Sequence, residues 1–265
     1  LEDFGDEWLW RPALYYRWAN VADARLMSYR LAKGMMRDVP LPLFLRRWVI
    51  LNRQRFHFLW LDGVRPSTAK RVEAHYLETL AALENILQHT PFVLGHRPTL
   101  ADYGLYGSMF RHFFCDPTPA GIMRSQAPAV HEWVARMWNL NLGDFNALHF
   151  QNDVPAHLHP LLNIVCSEFL KYQQLNETAV THNKKYFEFD SQGTLFKLPA
   201  QRYRAWRFQR LKKRYQGLNE QARNTLLSAN PELSRFLSLP VKYEIEARID
   251  ALPISKPKTM KSRAW

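Results

Sequence analysis

The sequence contains few of the residues that mark disulfide-rich, β-rich or membrane-spanning proteins. Of its 265 residues only two are cysteine, Cys115 and Cys166. Neither lies in a CxxC motif or a Cys/His cluster, which argues against a disulfide framework. Glycine occurs ten times and long β-branched runs are few, which favours an all-α protein. No apolar stretch is long enough to span a bilayer.

Motifs of the common enzyme classes are also missing. The sequence has no G-x-S-x-G, P-loop or GxGxxG motif. Cys115 follows two phenylalanines and precedes Asp116; an apolar setting and an acidic neighbour both raise a thiol pKa, so we expect a core residue. His112 has no evident partner, and His157 and His159 have no third ligand nearby. We therefore expect no catalytic histidine and no metal site.

Positive charge is abundant and unevenly distributed. The formal net charge is +12. Residues 1–150 hold 17 Lys and Arg against 14 Asp and Glu, whereas residues 151–265 hold 19 against 10. The second half therefore carries most of the excess, and it should attract RNA, anionic lipid or an acidic protein surface. The alternative is that a basic chain merely suits its compartment.

Helical spacing of apolar residues predicts a largely helical chain. The helix over Leu43 to Trp60 has a basic face made by four arginines: Arg46, Arg47, Arg53 and Arg55. The other predicted helical segments are 1–36 in two pieces, 67–89, 99–114, 127–142, 155–181, 200–217, 219–229 and 231–237. Between 184 and 199, two aromatic-rich runs flank Ser191-Gln192-Gly193, which predicts a β-hairpin near 186–198 with Gly193 at positive φ.

The segment "PFVLGHRPTLADYGLYGSMF", residues 91–110, has a strong helix-start signal. Thr99 is the expected N-cap and Asp102 lies at N3, so each side chain can bind the other residue's backbone N–H in a capping box. The proline before Thr99 can pack on Tyr103 as a hydrophobic staple. Gly104 and Gly107 give the helix a small face that another helix can approach closely.

This segment resembles the C-terminal helical domain of cytosolic glutathione transferases, in which an S/T-x-x-D box starts the core helix. The matching residues are Gly95, Thr99 and Asp102, with Tyr103 at the staple position. The helices before the box and "APAVHEWVARMWN" after it extend the resemblance over residues 1–141. "LEDFGDEWLWRPALYYRW" and "KKYFEF…G…LPAQRYRAWRFQRL" are similar to uncharacterised bacterial glutathione-transferase-like proteins with an extra C-terminal segment.

The resemblance implies an all-α fold with three parts. Residues 1–150 are expected to form a glutathione-transferase C-terminal-like helical bundle. Residues 151–254 are expected to form a basic helical extension that carries the hairpin. Residues 255–265 are expected to be a flexible basic tail.

Glutathione transferases bind glutathione mainly through an N-terminal thioredoxin-like domain, and this chain shows no such pattern. Leu1 is not a start methionine, so we expect that a segment precedes it. As it stands, the sequence predicts no cofactor. Glutathione is expected as a cofactor only if a thioredoxin-like domain exists upstream.

The resemblance also assigns candidate ligand residues to the first helical segment, which lines the cleft between the two domains in the family. These residues are Trp8, Arg11, Tyr15 and Tyr16. Arg11 can pair with an anionic ligand, and a tyrosine hydroxyl can donate a hydrogen bond. The alternative is that the aromatic residues are core and that the arginine reaches the surface.

A second candidate surface lies on the basic helix within 197–215, which holds eight basic residues and no acidic one. Its outward arginines would form a partner-binding face: Arg204, Arg207, Arg210 and Arg214. An acidic protein subunit, anionic lipid or RNA would suit this face. The alternative is a solvated helix face.

Three functions remain open at this level. The first is a non-catalytic scaffold or accessory subunit of a larger protein assembly, with mitochondria favoured over the cytosol. The second is the C-terminal part of an active glutathione-dependent transferase. The third is RNA binding through the basic helix. We expect the chain itself not to be an enzyme.

Overall fold

The computed structural model describes residues 1–141, 143, 153–241 and 244–245. In this part of the chain the fold is helical apart from one β-hairpin, as predicted. The helices of the first half are α1 Glu2–Glu7, α2 Trp10–Ala19, α3 Val21–Gly34, α4 Leu43–Arg53, α5 Leu59–Leu61, α6 Ala69–Leu87, α7 Leu100–Ser108, α8 Pro117–Gln126 and α9 Pro128–Trp138. The second half contains α10 His159–Ile164, α11 Lys171–Thr181, β1 Tyr186–Ser191, β2 Thr194–Pro199, α12 Arg202–Gln216, α13 Glu220–Ala229 and α14 Glu232–Leu237.

Two of the long predicted helices are continuous but contain a π-helical turn. Gln54–Phe58 joins α4 to α5, and Val165–Leu170 joins α10 to α11. A third π-helical turn, Met109–Phe114, extends α7. Such a turn inserts one residue into the helical repeat, which shifts the side chains that follow it around the helix axis.

The hairpin is tight and has one buried face. Ser191 pairs with Thr194, so only Gln192 and Gly193 lie in the turn, with φ of 47° and 81°. Two consecutive positive φ angles fit a type I′ turn, whose twist matches the right-handed twist of the strands. Phe187 and Phe189 alternate with exposed residues and point into the core.

One continuous apolar core joins the two halves of the chain. Trp8 packs against Phe169 of the π-helical turn and Phe189 of the hairpin, with ring centroids 6.4 and 5.9 Å apart. α1 lies directly on α7: a Cβ built on Gly104 would come within 2.7 Å of the Cα of Glu2. Residues from the extension are therefore part of the same core as the first helices.

Two expectations from the sequence fall outside the described residues: the boundary near residue 150 and the tail 255–265. Two expectations were wrong: residues 1–36 form three helices instead of two, and Cys115 is exposed and not in the core. Cys115 comes directly after the π-helical turn Met109–Phe114 that extends α7. In the part of the chain that the structure describes, no helix is long and apolar enough to cross a membrane.

Candidate functional site

The structure places the candidate ligand residues of the first segment largely in the core. Trp8, Arg11 and Tyr16 are buried, and Tyr15 is half-buried. The hydroxyl of Tyr16 donates to Glu73 Oε1 at 3.3 Å. Burial, together with Glu73, raises the pKa of both tyrosines, so neither is poised to lose its proton near neutral pH.

The side chain of Arg11 is buried and bound by other residues of the same chain. Its Nε donates to the backbone oxygen of Asp62 at 2.8 Å. Its guanidinium lies between three aromatic rings, 5.5 Å from Trp8, 5.6 Å from Tyr172 and 5.1 Å from Phe196. Burial lowers the pKa of Arg11, although Tyr172 and Asp62 oppose this effect. The arginine therefore joins α2 to the hairpin and α11.

A buried polar network links the hairpin to α6. The hydroxyl oxygen of Ser191 lies 2.6 Å from Glu168 Oε2, 2.9 Å from His75 Nε2 and 2.8 Å from Arg71 Nε. Arg71 also pairs with Glu168 at 3.3 Å and with Glu78, where its Nη2 is 3.1 Å from Oε2. All of these side chains are buried except Glu78, which reaches the surface.

The network combines serine, histidine and glutamate, but its hydrogen bonds assign it a structural role. The hydroxyl of Ser191 donates its single proton to Glu168, so Arg71 and His75 must donate to the oxygen. His75 therefore carries its proton on Nε2 and has no lone pair facing Ser191. Burial, together with Arg11 and Arg71, lowers the pKa of His75 well below its usual range and keeps the ring neutral. Ser191 is fully buried, so its oxygen does not meet a substrate in this arrangement.

The predicted capping box lies at the start of α7. Both of its reciprocal hydrogen bonds are present, and Asp102 Oδ2 accepts from the backbone N–H of Thr99 at 2.9 Å. The other carboxylate oxygen accepts from Val93 N at 2.9 Å and from Trp133 Nε1 at 3.1 Å. Asp102 thus ties the preceding loop and α9 to α7, whereas Tyr103 is exposed.

Half of the predicted basic partner face is used inside the chain. Arg204 forms an ion pair with Glu7, and Arg207 pairs with Asp3; both acidic residues lie on α1. Arg210 and Arg214 are exposed, and Arg210 stacks over its neighbour Trp206 at 4.8 Å. The face available for an acidic subunit, anionic lipid or RNA is therefore smaller than the sequence indicates.

The remaining reactive residues do not form a cluster. Burial, with Arg17 and Arg111 nearby, lowers the pKa of His112 to about 3. Partial burial and the carboxylate of Asp116 raise the pKa of Cys115, and burial raises that of Cys166 to about 12. Among the described residues, no group of three or more His, Cys, Asp and Glu side chains could hold a metal ion.

A surface feature that sequence reasoning missed is an exposed apolar stripe along α4 and α5. We call it the aromatic ridge, and it consists of Leu41, Phe44, Leu45, Trp48, Val49, Phe56, Trp60 and Leu61. Its four aromatic side chains are between 57% and 77% exposed. The available signal was the spacing of four within each pair, Phe44 with Trp48 and Phe56 with Trp60, which places the two members of a pair near one another on a helix.

Comparison with known proteins identifies the central part of the chain. Residues 54–136 match the family model described as glutathione S-transferase, C-terminal domain. Neither the curated proteins nor the solved structures gave a match. The matched range begins in the π-helical turn after α4 and ends in α9, so it contains the capping box and the core helices α6 and α7. The chain therefore contains a glutathione S-transferase C-terminal-like helical domain.

Proposed function

We propose that this chain is a non-catalytic scaffold or accessory subunit, built on its glutathione S-transferase C-terminal-like domain and acting within a larger protein assembly. The observation that supports this proposal most is that Arg11 makes its contacts within the chain. The side chain that the resemblance offers as an anion ligand is bound to the carbonyl of Asp62 and enclosed by three rings of its own chain. It acts as a structural link between α2 and the extension.

Other observations point in the same direction. The hydroxyl of Ser191 is occupied by internal hydrogen bonds with Glu168, His75 and Arg71, and Tyr16 is bound to Glu73. The aromatic ridge leaves four large aromatic side chains more than half exposed along one helical segment. The net charge of +12 is the reason for preferring a mitochondrial assembly.

The proposal is tested on the native polypeptide, tagged at its own chromosomal locus and cross-linked before lysis. Native mass spectrometry of the purified material should give a complex of defined subunit stoichiometry. That complex should persist when glutathione is removed. Recovery of the polypeptide as a free monomer in cross-linked and uncross-linked samples alike would contradict the scaffold role.

The family match favours a second candidate, the helical part of a glutathione-dependent transferase whose thioredoxin-like domain lies upstream. In that case Tyr15, the half-buried member of the candidate set, is the residue best placed to contact a substrate. The native polypeptide should be retained on immobilised glutathione, and Tyr15→Phe should change its turnover. Tyr16→Phe is the matched comparison, because that hydroxyl is bound to Glu73. Unchanged kinetics in both variants would remove these residues from the site.

A further inference from the structure

The aromatic ridge has the reverse of the usual orientation of an amphipathic surface helix. Three of the four arginines in α4 and the following turn, Arg46, Arg47 and Arg55, point towards the protein, whereas Arg53 is exposed. Arg46 Nη1 donates to Met36 O at 2.8 Å, and Arg55 Nε donates to Trp18 O at 2.9 Å. The side chains of the ridge point outwards, and neither α4 nor the π-helical turn contains a buried residue; Ile50 and Leu51 are half-buried and pack against the core. Folding of this chain alone does not explain such an arrangement, because it leaves the apolar face in water.

The shape of the ridge favours a partner whose surface can deform around it. Leu43 to Leu61 is continuously helical, which gives a rod about 28 Å long at the usual rise per residue. α4 packs on α3, and the side chains of the ridge protrude from its exposed side. A protein partner would need a complementary groove for a protruding row of rings, whereas a membrane interface adapts to them.

The charge around the ridge indicates which kind of surface it fits. Residues 21–61 contain eight Lys and Arg against two Asp, a net charge of +6. Three of these arginines bind backbone carbonyls, and the other five cations are exposed: Arg25, Arg30, Lys33, Arg37 and Arg53. Arg65 lies 4.2 Å from the ring of Trp60, and Arg53 lies 5.3 Å from the ring of Phe58. Tryptophan and phenylalanine flanked by arginine suit the boundary between lipid headgroups and acyl chains. A second copy of the chain would instead bring two such cationic segments together.

We propose that the aromatic ridge docks on anionic membrane surfaces, with its rings in the interface and the surrounding cations on the lipid headgroups. The helix lies along the surface and does not cross the bilayer. Each cation near an anionic leaflet adds a favourable contribution, so the cationic segment and the rings act together. This inference does not rest on the scaffold role, because it concerns the chain and lipid alone.

The test uses the purified 265-residue chain and vesicles of phosphatidylcholine, with or without phosphatidylglycerol. Binding is measured by co-sedimentation and by the blue shift of tryptophan fluorescence. We expect binding to the anionic vesicles that weakens as salt is raised, and weaker binding to neutral vesicles. Equal binding to both vesicle types, or none to the anionic vesicles at low salt, overturns the proposal.

The ridge itself is tested by Trp48→Ser combined with Phe56→Ser. Because burying one large apolar side chain changes an affinity by about tenfold or more, we expect the pair to weaken binding about a hundredfold. Both side chains are exposed, so the circular dichroism spectrum should not change. The matched control is Trp138→Ser, since Trp138 is 64% exposed and Trp48 is 63% exposed. The control should bind as the unsubstituted chain does.

Two other results would assign the ridge to a different partner. If the chain is a dimer in solution and the double variant is a monomer, the ridge is a self-association surface. If the double variant still binds anionic vesicles but loses a stoichiometric protein subunit of the native complex, the ridge is a protein interface. Either result would replace the membrane proposal, and the second would leave the scaffold role intact.

Discussion

Replacing Ser191 with alanine is the sharpest test of the buried network, because it removes one oxygen that serves three partners. Glu168 loses its shortest hydrogen bond and keeps the contact with Arg71 at 3.3 Å, with His75 Nε2 4.0 Å away. His75 Nε2 loses its hydrogen-bond partner, and so does Arg71 Nε. All of these groups are buried, so water does not replace the lost oxygen without a rearrangement.

The expected cost of Ser191→Ala follows from these losses. A hydrogen bond to a charged group contributes about 1.5–3 kcal/mol, and an unsatisfied buried group costs about 1–3 kcal/mol. The free energy of unfolding should therefore fall by about 3–5 kcal/mol. Urea unfolding followed by circular dichroism measures this change, with the slope of the transition expected to stay constant.

The matched control is Ser108→Ala. Ser108 is also buried, but its hydroxyl donates a single hydrogen bond, to the backbone oxygen of Gly5 at 3.0 Å. Its loss should cost about 1 kcal/mol. If Ser191→Ala costs no more than Ser108→Ala, the network does not hold the hairpin to α6. In that case the structural reading of the Ser–His–Glu arrangement would have to be abandoned.

Three further predictions concern other parts of the core. Asp102→Asn should lower the free energy of unfolding by about 3 kcal/mol or more in urea, since an amide offers one acceptor oxygen to four donors; a loss below 1 kcal/mol would contradict this. Gly104→Ala should lower the melting temperature because its Cβ meets the α1 backbone, whereas Gly121→Ala, with open space around it, should not. The pKa of His112 is lowered, so the folded state binds its proton less readily than the unfolded state. Stability present above the ordinary value of about 6.5 should be lost as the pH falls towards 3, by up to about 1.4 kcal/mol per pH unit; His112→Asn should flatten that part of the profile.

Local sequence signals were sufficient for most of the helices and for the hairpin, although α8 was not predicted. The stripe of Val72, Tyr76 and Leu80 predicted α6, and all three are buried. The hairpin was predicted from Gly193 and its aromatic flanks, and its register follows from a two-residue turn. These features depend on neighbours within a few residues, where periodicity and turn chemistry are informative.

The buried network could not be predicted in this way, because its members come from distant parts of the chain. Ser191 lies 120 positions from Arg71 and 116 from His75. On the sequence alone, Ser191 is an ordinary turn residue and His75 one more residue on a helix. Only the packing of the hairpin on α6 brings the two together.

The aromatic ridge shows a different limit of sequence reasoning. The arginines at 46, 47, 53 and 55 were correctly placed on one helix and identified as its basic face. An amphipathic pattern shows which residues share a face, but it does not show which face is buried. Here backbone carbonyls at the ends of α2 and α3 accept the arginine side chains, as Arg55 and Trp18 illustrate, and the apolar face is left outside.

Charge counting over the two halves of the chain does not show how charge is distributed on the folded molecule. Four of the 14 acidic residues in the first half lie in α1, at positions 2, 3, 6 and 7. Glu7 and Asp3 pair with Arg204 and Arg207 of α12, so part of the excess charge of the second half is neutralised inside the molecule. Residues 21–61, which include the aromatic ridge, hold +6 within a half whose total is only +3. Part of the positive charge of the folded chain therefore lies in the half that simple charge counting makes nearly neutral, and the membrane proposal depends on that segment.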